Sequence, residues 1–168
     1  MTPSVSRIRV LDGTHLAATA EAARRSPRLR ANLNVHPAMD DPVQRFLNVF
    51  QPGTYVRPHH HEPHRFELFL VVAGRAGVLT FDDEGRVLEH TVVSPRDRWA
   101  VEVPGGVWHT VVSLAADTML FEIKPGPFRP MEDKDFAPWA PREGTPEAAR
   151  ARQQWEAVAA EALSGPTG

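Results

Sequence analysis

Cysteine is absent from this 168-residue chain, which excludes disulfide frameworks, thiol catalysis and thiolate metal sites. Any metal must then be held by histidine and carboxylate. An excess of one charge is lacking too. The 19 Lys and Arg face 21 Asp and Glu, so no strong field exists to recruit nucleic acid or anionic lipid. No apolar run approaches the length that crosses a bilayer, and the opening MTPSVSRIRV lacks the basic start and apolar stretch of a signal peptide. These absences lead us to expect a soluble, cytoplasmic protein with neither nucleic acid nor membrane as partner. What is present is a 42% apolar composition, enough for a single domain to bury a core without staples.

Residues 12–26 are Ala-rich, with Asp12, Gly13 and Thr14 as candidate caps and Ser26-Pro27 as a stop, which predicts a short N-terminal helix. From about Arg28 the character changes to short β-type runs separated by Pro, Gly and Asp. The runs are 44–50, 55–57, 66–72, 78–81, 87–93, 99–103, 108–114 and 118–124. So many strands with no helix between them point to an all-β barrel or sandwich rather than βαβ units. Between Phe81 and Val87, Gly85 can adopt the positive φ of a hairpin turn. After Lys124 a Pro-rich stretch through Pro146 has too few amide donors for a central strand and is expected to wrap the surface. Thr145-Pro146-Glu147 opens a predicted helix running to Leu163, with fraying from Ser164 to Gly168. The expected organisation is thus a helical extension at 1–27, a β-barrel domain at 28–125, and a wrap with a C-terminal helix at 126–168.

The densest chemical signal is Gly53-Thr54-Tyr55-Val56-Arg57-Pro58-His59-His60-His61, with Glu67 following. Alternate residues of an extended strand share a face, so His59 and His61 can address one ion while His60 points away. If 62–65 is a turn, the Glu67 carboxylate returns beside them. Pro104-Gly105-Gly106-Val107-Trp108-His109 offers a further imidazole after a tight turn. Three imidazoles and a carboxylate suit one divalent Fe, Mn, Ni or Zn ion with coordination positions left open. By the same parity Tyr55 and Arg57 are expected to line the interior beside His59. Arg30, Asn32, Asn34 and His36 form a polar face that also fits an edge strand turned to water. Lys124 is either an anion ligand or an exposed side chain. His60 and His64 read as solvated or supporting groups, and His15, His36 and His90 as surface residues. Trp99, Trp108, Phe46, Phe50 and Phe69 read as barrel packing or an oligomer contact.

The sequence resembles the cupin superfamily, with its motifs G-x5-H-x-H-x3-4-E-x6-G and G-x5-P-x-G-x2-H-x3-N. Gly53, His59, His61, Glu67 and Gly74 match the first, although five residues separate His61 from Glu67. Pro104, Gly106 and His109 match the second, with Arg98 in place of its first Gly and Ser113 in place of its Asn. More narrowly, DPVQRFLNVFQPGTYVRPHHH, ELFLVVAGRAGVLTFDDEGRVLE, VPGGVWHTVV, EIKPGPF and DKDFAPWAP resemble the WbuC family of cupin-fold metalloproteins. The resemblance implies a cupin-type double-stranded β-helix, or jelly roll, with flanking helices, and a role near O-antigen or surface-polysaccharide biosynthesis. On these grounds the chain is expected to be a metal-dependent isomerase, epimerase or dioxygenase acting on a small, sugar-derived substrate. Tyr55 or Glu62 would move protons, and Arg57, Asn32, Asn34 and Lys124 would bind substrate. The alternative is a non-catalytic, metal-anchored sensing module. A homodimer is expected because strand edges in such barrels are often covered by a partner.

Overall fold

The computed structural model describes residues 8–161. The chain opens with helix α1 (Gly13–Arg25). Asp12 caps it by accepting from the Thr14 and His15 amides, and Ser26 ends it. Eight strands follow: β1 (Arg30–Asn34), β2 (Val43–Phe50), β3 (Glu67–Ala73), β4 (Ala76–Phe81), β5 (Val87–Val93), β6 (Ala100–Val103), β7 (Trp108–Ser113) and β8 (Thr118–Pro125). A 3-10 turn at Asp133–Asp135 interrupts the wrap, and helix α2 (Pro146–Glu161) comes last. Leu163 and the expected fraying of Ser164–Gly168 lie outside the described residues.

The strands form two antiparallel sheets, a five-stranded one in the order β1-β2-β8-β3-β6 and a three-stranded one in the order β5-β4-β7. This is the cupin-type jelly roll. Between the sheets lies a core of Phe50, Phe69, Val71, Val103 and Leu120 from the larger and Ala76, Val78, Val93 and Val111 from the smaller. The outer faces are apolar too, and the helices cover them. α1 places Ala20 and Ala23 on Leu47, Val49 and Met119; α2 places Trp155, Ala148 and Ala159 on Leu79, Phe81 and Val112. That double burial is why apolar residues stand side by side in β2 (Phe46-Leu47), β4 (Val78-Leu79) and β8 (Met119-Leu120-Phe121) instead of strictly alternating. The β4–β5 hairpin turns where expected, with Phe81 opposite Val87 and Gly85 at φ +85°.

One expected strand is not there. Tyr55–Arg57 belongs to no ladder, because its carbonyls are taken by side chains, Tyr55 O by Arg30, Val56 O by Thr110 and Arg57 O by His59 Nδ1. β1 takes its place in the count as an edge strand, as the alternation from Arg30 allowed. His36 is not a surface residue: it is 5% exposed, with Nδ1 against the Arg45 backbone. Trp99 is 61% exposed and packs no barrel core. Among the described residues no helix is long and apolar enough to cross a membrane.

Candidate metal centre

His59, His61, Glu67 and His109 converge at one end of the inter-sheet space, each offering a ligand atom within 4.8 Å of the others. Two local devices bring them there. The His59 and His109 backbones pair reciprocally, His59 N to His109 O at 3.1 Å and His109 N to His59 O at 3.0 Å, which ties the irregular 51–61 segment to β7. The second is the turn before β7. There Gly106 N donates to His61 O at 2.8 Å, and Gly105 approaches the Glu62–Pro63 backbone so closely that a Cβ would overlap it.

The imidazoles are oriented from behind. His59 Nδ1 lies 2.9 Å from Arg57 O and His109 Nδ1 lies 2.8 Å from Val107 O, so both Nδ1 atoms carry the proton and both Nε2 atoms face the centre. Glu67, 3% exposed, sits between His61 Nε2 and His109 Nε2, each at 2.8 Å. On its far side Lys124 Nζ lies 2.9 Å from Glu67 and 2.8 Å from Glu122 Oε1, over the Phe46 ring. Asn48 donates to the other Glu122 oxygen at 2.6 Å.

Electrostatics follow from this packing. Burial, aided by the neighbouring His109, pushes His59 down to about 3, so its ring is neutral and free to donate a lone pair. Burial opposes ionisation of Glu67, yet the Lys124 ammonium and the two histidines hold it well below the usual carboxylate range. His109 is raised despite burial, because Glu67 accepts from it. Burial and the adjacent Glu67 push Glu122 up to about 7. The residues fit a divalent ion on two counts. The donor set is nitrogen and oxygen with no competing thiolate, and the buried Glu67 carboxylate at its centre is held ionised.

A cavity of about 250 Å³ opens on His59, Glu67 and His109 and is walled by Phe50, Val56, Phe69 and Val111 with Asn32, Asn48, Glu122 and Lys124. Of the residues expected to bind substrate, Asn32 and Lys124 line it. Asn34 does not; it is exposed and accepts from Asn32 at 2.7 Å. Arg57 does not; its guanidinium lies 4.9 Å from the Phe136 ring centroid. Lys124 is neither free nor exposed, being spent on two carboxylates. Tyr55 is placed wrongly by strand parity, since the segment is irregular and Val56 faces the cavity instead. Its hydroxyl donates to Pro141 O at 2.7 Å and its ring stacks on Trp155, on the α2 side of the small sheet. Glu62 is held by Arg65 at 2.6 Å and Arg129 at 3.3 Å, in a smaller side cleft that also touches His59 and His61. His60 packs edge-on against Trp108, and His64 is exposed. Glu122, Asn48, Arg28 and Arg30 had no assigned role. The Glu122 signal was its parity with Lys124 on β8, two charged residues turned to the buried face.

A family described as a domain of unknown function (DUF6016) matches residues 11–93. The protein TT1209 from Thermus thermophilus superposes with a TM-score of 0.53 at 18% identity, over 70% of this chain and 97% of that one. KdgF from a Halomonas species matches at 24% identity and TM-score 0.46, over 62% of this chain and 84% of that one. A cupin superfamily protein from Desulfitobacterium hafniense matches at 21% and 0.44, over 57% and 76%. No curated protein matches the chain. The likeness at these identities is one of fold.

Proposed function

We propose that His59, His61, Glu67 and His109 hold one divalent Fe, Mn, Ni or Zn ion and that the chain is a metal-dependent enzyme acting on a small polar substrate. The observation that carries this reading is the convergence of three imidazoles and a buried carboxylate on a walled cavity that leaves one side of the cluster open. When bound, such an ion would supply Lewis-acid stabilisation to an oxygen that gains negative charge, as in isomerisation or epimerisation, and an Fe(II) ion would instead activate dioxygen for dioxygenation. The chain's own residues do the rest. The Arg57 and Val107 carbonyls fix the imidazole tautomers, and the apolar wall of Phe50, Val56, Phe69 and Val111 excludes water.

Tyr55 and Glu62 are replaced in the proton-handling role by Glu122, which lines the cavity, is pushed up to about 7 and is positioned by Lys124. Asn32 and Asn48 offer amides to substrate hydroxyls. The phrases shared with the WbuC family favour a sugar-derived substrate linked to surface polysaccharide, and the open edges of β1 and β6 together with exposed Trp99 favour a homodimer.

The test pairs elemental analysis of protein purified without chelators with a turnover screen of small sugars and their derivatives. One ion per chain in the wild type, and a small fraction of that in a folded His59→Ala variant, is the expected result. Saturable binding without product would leave a metal-anchored sensor, and no metal in the folded wild type would overturn the reading.

A further inference from the structure

The rim of the same cavity carries a second charged cluster. Arg28 and Arg30 both line the cavity and both grip one carboxylate, that of Glu143, which itself faces a neighbouring cleft shared with Arg28 and Tyr55. Arg30 Nη1 and Nη2 lie 2.8 and 3.1 Å from the two Glu143 oxygens. Arg28 adds Nε contacts of 3.1 Å to each oxygen and an Nη2 contact of 2.8 Å. Arg30 is also anchored from behind, donating to Tyr55 O at 2.9 Å and Thr54 Oγ1 at 3.3 Å, and its side chain is 17% exposed. The rim cluster counts two guanidiniums and one carboxylate, a deficit of one negative charge.

We propose that Arg28 and Arg30 bind the anionic group, a carboxylate or a phosphate, of a small substrate whose other end reaches the inner cluster. Glu143 occupies the cradle as an internal stand-in until that group displaces or joins it. The inference rests on the proposed metal-dependent reading for what happens at the inner end, but not for the anion site itself. Paired guanidiniums on a planar oxyanion give a bidentate geometry that a lysine cannot, and the cradle is seen holding a carboxylate already. Glu143 lies in the irregular segment ahead of α2, beside Gly144 at φ +84°. That segment stays tied to the barrel through Tyr55 and Pro141 when the Glu143 side chain is changed.

The experiment titrates metal-stripped full-length chain with glucose 6-phosphate, glucuronate and neutral glucose by calorimetry, for the wild type and for Glu143→Gln, Arg28→Gln and Arg30→Gln. Both anionic sugars, or one of them, should bind while glucose does not, and whichever binds identifies the source of the charge. Removing the competing carboxylate in Glu143→Gln should tighten that binding about tenfold, and each arginine variant should weaken it by about tenfold or more, the worth of one charge-assisted pair. Equal binding of glucose and the charged sugars, or the same affinity in the wild type, Glu143→Gln and Arg28→Gln, would overturn the proposal. Should Arg30→Gln lose its fold by circular dichroism, the other two variants decide. Metal content measured on the same preparations before stripping separates the two readings. Loss of the anion response with metal retained removes only this inference, and an anion response without metal removes only the enzyme's ion.

Discussion

Replacing Lys124 with methionine tests the inner charge balance most directly. Methionine keeps an unbranched stem over Phe46 but removes the one ammonium that separates Glu67 from Glu122. Two buried carboxylates then face each other, and breaking a buried pair of this kind costs about 3–5 kcal/mol when the remaining charge has no partner. Relief is available through Glu122, which already sits at about 7 and, without the ammonium, rises further. The sign follows from linkage. A carboxyl whose folded value lies above its unfolded value of 4.5 favours the fold fully below that unfolded value. The contribution is lost as pH rises through the folded value. Urea denaturation of metal-free wild type and variant should therefore differ by about 1 kcal/mol or less near pH 5 and by about 3 kcal/mol near pH 9. A difference that is the same at both pH values, or that is absent near pH 9, would refute the charge assignment.

Four further outcomes are expected. Metal bound to the wild type should fall as pH falls from above 6.5, because His109, raised by Glu67, must lose a proton before it can coordinate; metal content after equilibrium dialysis across a pH series checks this, and constant content down to about pH 5 would contradict it. Tyr55→Phe should cost about 1 kcal/mol through the lost bond to Pro141, without loss of turnover. Burial pushes Tyr55 up to about 12, so the wild type should also lose stability between pH 10 and 12 while the variant loses less, as thermal melts in alkaline buffers would record. Trp155→Ala should destabilise by about 3–5 kcal/mol in denaturant titrations, because the ring is 7% exposed and packs on both Tyr55 and Phe81, yet it should leave metal binding in the folded fraction unchanged.

Much of the fold was legible because short β-runs and their punctuation are local signals. β5 and the helix behind Asp12 lie where alternation and capping put them, and the other expected runs start and end within a residue or two of the observed strands. Tyr55–Arg57 failed for a reason that is not local, since the side chains of Arg30, Thr110 and His59 take its carbonyls. The parity argument built on it fell with it, and Val56 took the cavity face assigned to Tyr55 and Arg57.

Residue spacing and the likeness to the cupin motifs together picked out the four clustered residues, because the two-residue step of an extended segment, a turn that returns the chain, and a glycine turn before an imidazole are properties of neighbours in sequence. Only the tertiary structure decided what surrounds those residues. Glu122 is set between Phe46 and Phe69 by the pairing of β8 with β2 and β3, and Glu143 meets Arg28 and Arg30 across more than a hundred residues. Charge pairing across such distances leaves no periodic trace in a chain, since it depends on which sheet edges and wraps come together and not on the order of residues along any one of them.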